Sequence, residues 1–304
     1  MTGKIRICEV GPRDGLQSEK RHWSVEERIE LIDRLSLTGV ACVEAVSFVN
    51  PKRVPQMADA EAVMDGLTRQ DGVTYAGLAL NARGMERAIA AGCDEVRYVA
   101  VASEAFNQRN QGTGMEETLS GFAKIAGQVN DAGLKLSAGI AAAFGCPFEG
   151  PISVDRVVSV AKRLVDAGAQ EIGLADTIGA AVPTEITEKF AAVRDALGPD
   201  IGLGGHFHNT RNTGFANAAA AVAAGVGYLD SSVGGIGGCP FAPKATGNIA
   251  TEDLCYMLRN MGYDTGVDLD ALVAVADWAE TFFEAPLPGL VMKAGLFPEV
   301  AANR

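Results

Sequence analysis

The feature that most constrains the fold is a regular alternation of short, β-rich apolar runs with longer amphipathic stretches. The runs occupy residues 5–10, 41–48, 73–80, 95–101, 134–142, 170–175, 201–208 and 228–235. The stretches between them are typical of helices. Two of these, 24–39 and 153–168, begin at a serine suited to N-capping and end at a glycine suited to a left-handed C-terminal position. The pattern predicts strands joined by helical crossovers.

Eight strand and helix units predict a (β/α)8 barrel of the TIM type, in the α/β class. Nearly continuous apolar strands are typical of a parallel sheet that is covered by helices outside and filled by side chains inside. The 304 residues fit one such domain over 1–304, with 250–304 forming additional C-terminal helices. A doubly wound open sheet is the structural alternative, but no GxGxxG motif follows the first strand.

Net charge and composition limit the classes of binding partner and the compartment expected for this protein. The formal charge of -12, with acidic residues scattered along the chain, argues against nucleic acid or an anionic membrane as a partner, because either would repel this surface. No apolar signal segment opens the sequence, which predicts a cytoplasmic protein. The six cysteines form no CxxC pair, so reduced thiols are expected.

Polar residues collect where the predicted strands end. In a barrel these ends share one rim, and that rim is where such folds build active sites. The residues concerned come from separate segments of the chain: Arg13, Asp14, Gln17, Glu44, Ser47, Glu104, Asp176, His206, His208 and Asn209. This accumulation predicts an active site at the rim.

His206 and His208 are two of only three histidines in the chain. Two residues apart on a strand, both imidazoles point to the same side and could bind one cation. Asp14 could add a hard oxygen from nearby, because only the eighth strand separates the seventh from the first. This mixed donor set suits Mg²⁺, Mn²⁺ or another divalent ion. The alternative is a pair of hydrogen-bonded histidines at a strand end.

Two other barrel chemistries lack the necessary residues. A zinc hydrolase with an H-x-H motif needs further histidines on later strands, and only His22 is left. A Schiff-base aldolase needs a lysine at the active end of a strand, whereas Lys135 stands at the opposite end of the fifth strand.

Cys239 lies in the glycine-rich segment "GGIGGCP". A free cysteine is most often a small buried apolar residue. A thiol on a glycine loop above the active rim could instead exchange a proton with a bound substrate. The position favours this second interpretation, and Cys146 in "GCPFEGP" is a weaker candidate for the same role.

Four segments, "EVGPRDGLQ", "SFVNPKRVPQMAD", "GCPFEG" and "GGIGGCPFAPKATGNIATED", resemble the 3-hydroxy-3-methylglutaryl-CoA lyases. The similarity runs from about residue 4 to about residue 266. It implies cleavage of a 3-hydroxyacyl-CoA into acetyl-CoA and a keto acid, an acyl-CoA thioester as the partner, and a homodimer.

The resemblance also implies roles for individual residues. Metal ligation is implied for four of them: Asp14, His206, His208 and Asn248. Arg13 would stabilise the thioester enolate and Cys239 would relay a proton to it, while Glu44 and Asp176 would support the site. Gln17 and Ser47 are further candidates for binding substrate, and the metal would be Mg²⁺ or Mn²⁺.

The chain departs from the family pattern at positions that are expected to face the substrate. Glycines stand at 139 and 173, where tyrosine and serine are usual, and Asn209, Arg211 and Asn212 replace Asp, Tyr and Gly. Loss of the two polar side chains predicts a wider and less polar substrate pocket around Gly139 and Gly173.

The resemblance makes hydroxymethylglutaryl-CoA the first substrate expected. The departures from the family pattern leave citramalyl-CoA or a bulkier 3-hydroxyacyl-CoA as the alternative. A condensing synthase of the same barrel group is less favoured, because such enzymes lack the cysteine segment and often carry a long regulatory domain. A non-catalytic ligand-binding barrel is the alternative from a different functional class. Metal-dependent turnover would separate it from an enzyme.

Overall fold

A computed structural model describes residues 3–239 and 242–297, and describes only the backbone of residues 110, 111, 239 and 242–246. Eight parallel strands close into a barrel in which each strand pairs with the next in sequence and the last with the first. The strands are Arg6–Glu9 (β1), Cys42–Ser47 (β2), Thr74–Leu78 (β3), Glu95–Val101 (β4), Lys135–Ala141 (β5), Glu171–Asp176 (β6), Gly202–Phe207 (β7) and Tyr228–Ser231 (β8). The predicted (β/α)8 barrel is confirmed.

Helices surround the barrel as crossovers, and the fourth crossover contains two of them. They are Val25–Ser36 (α1), Ala60–Gly66 (α2), Ala82–Ala90 (α3), Glu104–Gln111 (α4), Met115–Asp131 (α5), Val154–Asp166 (α6), Pro183–Leu197 (α7) and Gly214–Ala223 (α8). After β8 come Thr251–Asn260 (α9), Leu269–Glu280 (α10) and Val291–Ala294 (α11). None of the described helices is both long and apolar enough to cross a membrane.

The helix ends follow the local sequence. The Ser24 hydroxyl caps α1 by accepting a hydrogen bond from the Glu27 N–H, and the Glu27 carboxylate accepts one from the Ser24 N–H. The Ser153 hydroxyl caps α6 by accepting from the Arg156 N–H. Gly39 and Gly168 follow these helices with φ angles of 86° and 116°, which L side chains rarely adopt. The two predicted capping serines are therefore confirmed, whereas the helices themselves end at Ser36 and Asp166, before the predicted glycines.

Side chains of two kinds fill the barrel interior. Cys8, Val10, Cys42 and Ala76 form a small apolar cluster separate from the large core between strands and helices. Near the N-terminal ends of the strands, Lys135 pairs with Glu95 at 2.9 Å and with Glu171 at 2.6 Å. These contacts occupy the lower part of the barrel, so a ligand must enter from the opposite rim.

Candidate active site

A cavity of about 760 Å³ opens at the rim formed by the C-terminal ends of the strands and extends into the barrel. Its walls come from several strands and from the segments that follow them. The structure brings eight of the predicted site residues to this cavity: Arg13, Asp14, Gln17, Glu44, Gly139, Gly173, His206 and His208. Residues from distant parts of the sequence therefore share one site.

A candidate metal centre lies in the cavity wall. One ligand atom each from Asp14, His206 and His208 lies within 4.8 Å of the other two. The Nε2 atoms of the two histidines are 3.1 Å apart, and Asp14 Oδ2 is 4.0 Å from His206 Nε2. Both ring nitrogens thus point at one place beside a carboxylate, a donor set that fits a divalent cation.

Asp14 reaches this place from a helical turn, Gly11–Gly15, that directly follows β1. The Val10 carbonyl accepts hydrogen bonds from the N–H groups of Arg13, Asp14 and Gly15, at 2.8 to 3.2 Å. This wide turn lets two consecutive side chains, Arg13 and Asp14, both face the cavity.

Asn248 joins the cluster from the segment after β8. Its side-chain amide donates to Asp14 Oδ2 at 2.9 Å. Backbone contacts hold it there, because it bridges His208 and because the Asn209 N–H donates to the Gly247 carbonyl at 2.9 Å. The Asn248 amide oxygen is accordingly available as a fourth ligand if the amide rotates by half a turn.

Arg13 lies between two carboxylates. One of its terminal nitrogens donates to Asp14 Oδ1 at 2.7 Å and the other to Glu44 Oε2 at 2.8 Å. Burial opposes the charge, but Glu44 and Asp14 outweigh it and raise the pKa of Arg13 above its ordinary value. The result is a fixed cation whose plane is held at the cavity wall.

The electrostatic surroundings keep Asp14 ionised and His208 neutral. Burial opposes ionisation of Asp14, yet Arg13 and the two histidines hold the pKa of its carboxyl below its ordinary value. Burial and the adjacent His206 lower the pKa of His208 to about 4. An ionised carboxylate and a neutral imidazole are the forms that bind metals.

A second row of polar residues supports His206 from below. Asp230 Oδ2 lies 3.3 Å from His206 Nδ1, and Asp230 Oδ1 accepts from Arg97 at 3.0 Å. The Arg97 Nε also donates to Glu95 at 3.0 Å. Asp230 and Arg97 were not among the residues predicted for the site, although both lie in the walls of the cavity. The one available signal was the alternation along β8, which turns Tyr228 and Asp230 to the same side.

Four of the residues predicted at the rim do not line the cavity: Ser47, Glu104, Asp176 and Asn209. Both carboxylate oxygens of Asp176 accept backbone N–H groups, from Ala180 at 2.9 Å and from Ala181 at 3.0 Å. Asp176 therefore fixes the segment after β6 and has no contact with the cluster among the described residues. Ser47 is fully buried and does not line the cavity.

The two cysteine candidates have different outcomes. The side chain of Cys239 lies outside the described part of the structure, so its predicted role stays a prediction. Cys146 is buried, and its sulfur accepts hydrogen bonds from the Ser103 hydroxyl at 2.9 Å and from the Phe148 N–H at 3.3 Å. These contacts give Cys146 a structural role.

The expected widening at the two glycines is found at only one of them. A Cβ built on Gly173 would lie 2.9 Å from the Tyr228 hydroxyl, so that space is already filled. A Cβ on Gly139 would meet only the Tyr98 carbonyl oxygen, at 3.9 Å, so that space is open. The prediction was wrong at Gly173 because an aromatic side chain from β8 reaches across the barrel.

Comparison with known proteins agrees with this architecture. The sequence model of the HMGL-like family matches residues 4–278. The chain is 44% identical over 309 residues to the (R)-citramalyl-CoA lyase of Chloroflexus aurantiacus, covering 98% of this chain and 97% of that one. It is 45% identical over 271 residues to the hydroxymethylglutaryl-CoA lyase of Pseudomonas mevalonii, covering 89% and 90%.

A solved structure has a similar fold over nearly the whole chain. The HMG-CoA lyase of Acinetobacter baumannii, in complex with coenzyme A and 3-methylmalate, superimposes with a TM-score of 0.92 at 38% identity, covering 96% of this chain and 95% of that one. The protein is therefore a carbon–carbon lyase and belongs to the HMGL-like family.

Proposed function

We propose that the protein catalyses the divalent-metal-dependent reverse Claisen cleavage of a 3-hydroxyacyl-CoA, with hydroxymethylglutaryl-CoA as the first substrate and acetyl-CoA and acetoacetate as products. The observation that carries the proposal is the convergence of Asp14, His206 and His208 beside the buried Arg13 in one cavity. The relatives named as hydroxymethylglutaryl-CoA lyases support this substrate, and the coenzyme A in the solved relative supports a thioester.

The reaction requires two forms of charge stabilisation. The C3 hydroxyl loses its proton, the C2–C3 bond breaks, and C3 becomes the carbonyl carbon of the keto acid. The electron pair of that bond becomes the enolate of the thioester, and C2 then gains a proton to give acetyl-CoA. One proton is lost and one is gained, so no further reactant is needed. Negative charge develops first at the C3 oxygen and then at the thioester oxygen.

The residues of the cavity meet these two requirements. Asp14, His206, His208 and Asn248 would hold Mg²⁺ or Mn²⁺. When bound, the cation supplies Lewis acidity that lowers the pKa of the substrate hydroxyl. Arg13, held by Glu44, presents a permanent cation to the thioester oxygen and stabilises the enolate.

Cys239 is proposed as the group that brings the proton to C2. It lies on the strand segment Gly238–Cys239 after β8, and the adjacent Gly238 lines the cavity. A positioned thiol can transfer a proton to an enolate carbon. A homodimer is proposed on the family resemblance.

Citramalyl-CoA is a second candidate substrate, favoured by one observation. The (R)-citramalyl-CoA lyase of Chloroflexus aurantiacus is 44% identical and matches 98% of this chain. Citramalyl-CoA is also a 3-hydroxyacyl-CoA, so the same bond would break and the keto acid would be pyruvate.

A panel of 3-hydroxyacyl-CoA thioesters tests the proposal. The metal-loaded protein is incubated with hydroxymethylglutaryl-CoA, with each citramalyl-CoA enantiomer and with a 3-hydroxyacyl-CoA that lacks a carboxylate, and both products are quantified. We expect acetyl-CoA and the matching keto acid in equal amounts from at least one of the first two. Binding of all thioesters without product would support a ligand-binding barrel, and product without metal would contradict the mechanism.

A further inference from the structure

Three glycines and a tyrosine form one row across four neighbouring strands. In the register of the barrel, Gly139 of β5 pairs with Gly173 of β6, Gly173 pairs with Gly204 of β7, and Gly204 pairs with Tyr228 of β8. His206 and Asp230 stand two residues further along β7 and β8, on the same side of the strands. The row therefore lies about 7 Å below the candidate metal ligands, deeper in the barrel.

The Tyr228 ring extends along this row. A Cβ on Gly204 would overlap the ring, and a Cβ on Gly173 would lie 2.9 Å from the hydroxyl. Tyr228 is only 6% exposed. The guanidinium carbons of Arg6 and Arg97 lie 5.3 and 5.9 Å from the ring centroid. The ring is therefore fixed over Gly204, with its hydroxyl above Gly173.

Past the hydroxyl, the row ends in open space at Gly139. The nearest atom to a Cβ built there is the Tyr98 carbonyl oxygen, at 3.9 Å, and both Gly139 and Tyr228 line the cavity. The space bounded by Gly139, Gly173 and the Tyr228 hydroxyl forms a recess, the C3 recess. Because coenzyme A must enter from the rim, the recess receives whatever the substrate carries beyond its reacting carbons.

The recess has a polar group but no spare positive charge. Burial raises the pKa of the Tyr228 hydroxyl well above the ordinary value, so this group at the edge of the recess is neutral and can donate a hydrogen bond. Both arginines beside the ring are paired with carboxylates, Arg97 with Glu95 and Asp230 and Arg6 with Glu171. An uncharged group that accepts a hydrogen bond fits these surroundings better than a carboxylate.

On the basis of the proposed function, we propose that Tyr228 is a specificity-determining residue. We propose that the C3 recess binds the substituent that stands where hydroxymethylglutaryl-CoA carries its C3 methyl group, and that this substituent is larger than methyl. The preferred substituent is uncharged and carries an acceptor for the Tyr228 hydroxyl. Tyr228 thus sets the depth of the recess, and Gly139 leaves the space that the substituent occupies.

Three substrates and two variants test this inference. The substrates are hydroxymethylglutaryl-CoA and two analogues in which propyl or methoxymethyl replaces the methyl group at C3, the two larger groups having equal numbers of heavy atoms. The variants are Gly139→Ala, which fills the recess, and Tyr228→Phe, which keeps the ring and removes the hydroxyl. Gly121→Ala, on α5 with no atom near its added Cβ, is the matched control.

We expect the wild type to have its highest kcat/KM with the methoxymethyl analogue. Gly139→Ala should lower kcat/KM for both larger substrates by about 10-fold or more relative to the methyl substrate, the scale expected when one carbon is added to a filled pocket. Tyr228→Phe should lower kcat/KM for the methoxymethyl analogue by about 5-fold or more relative to the propyl and methyl substrates, the effect of one lost hydrogen bond. Gly121→Ala should match the wild type throughout.

Two results would overturn the inference while leaving the proposed function intact. One is a wild-type preference for the methyl substrate over both analogues. The other is an equal effect of Gly139→Ala or Tyr228→Phe on all three substrates, which would indicate a general structural role. If the metal-loaded wild type cleaves citramalyl-CoA but none of the three, only the inference fails. If it cleaves neither citramalyl-CoA nor any of the three, the proposed function itself fails, and the inference fails with it.

Discussion

The Nδ1 atom of His206 lies 3.3 Å from an oxygen of Asp230, and this carboxylate is held in turn by Arg97 at 3.0 Å. A carboxylate on the far side of a metal-binding imidazole fixes the ring orientation and leaves Nε2 as the nitrogen that faces the cation. In this barrel, the contact connects the rim, where the candidate ligands lie, with the charged interior below.

Replacing Asp230 by Asn should weaken binding of Mn²⁺ by about 10-fold or more, because the imidazole loses the carboxylate that orients it. Isothermal titration calorimetry measures this directly. Glu116→Gln, an acid-to-amide change on the exposed surface of α5, is the control. Unchanged Mn²⁺ affinity in Asp230→Asn would show that Asp230 does not orient His206.

Asp14→Ala and His206→Ala should each lose bound divalent metal as well as activity, because each change removes a proposed ligand atom. Metal content after dialysis, determined by elemental analysis, checks the first part. Near-stoichiometric metal together with normal turnover in either variant would refute the assignment of that residue as a ligand.

Cys239→Ser should leave metal binding unchanged while slowing turnover by roughly 100-fold or more, the scale that follows loss of a positioned acid or base. Turnover and metal content measured on the same sample separate the two effects. Cys146→Ser is the useful comparison, since the Cys146 thiol is buried in a hydrogen-bonded structural position. Wild-type turnover in Cys239→Ser would return that thiol to a structural role.

Glu252→Gln should stabilise the protein at alkaline pH. Burial raises the pKa of Glu252 to about 8, while the hydrogen bond from the Gly234 N–H partly opposes the shift. A carboxyl whose folded pKa is raised contributes its full stability below the unfolded value of about 4.5, and this contribution is lost as the pH rises through about 8.

Thermal unfolding at pH 5 and pH 9 measures the effect. The variant should match the wild type at pH 5 and unfold at a higher temperature at pH 9, by about 1–2 °C for each kcal/mol of stability retained. Glu9, whose pKa burial raises to about 7, remains in both proteins and leaves a common residual pH dependence. An identical difference between the two pH values in both proteins would show that Glu252 is not the group that titrates.

The periodic features of this fold could be predicted from sequence because they are local. Apolar runs at a regular spacing predicted all eight barrel strands, and the H-x-H spacing predicted two imidazoles on one side of β7. The turn after β1 then placed Asp14 beside them, as its position near the rim suggested. These inferences needed only strand parity and the shared rim of a parallel barrel.

The remaining features depend on contacts between strands that are far apart in sequence. Asp176 was expected at the site from its place at a strand end, but its carboxylate is bound by the backbone of the following segment. Tyr228 resembled an ordinary strand residue, and its position becomes meaningful only when register brings Gly204 and Gly173 beside it. No local pattern carries that information.

Removal of the bound metal, followed by stepwise addition of Mn²⁺, tests the proposed mechanism most directly. Wild-type protein is dialysed against chelator, Mn²⁺ is added stepwise, and both bound metal and the rate of acetyl-CoA release from hydroxymethylglutaryl-CoA are followed. The rate should be near zero without metal and should rise in parallel with occupancy of one site per chain, whereas His208→Ala should show neither. Full acetyl-CoA release from the metal-free wild type, or activity that saturates while the site of Asp14, His206 and His208 is empty, would contradict the proposed mechanism.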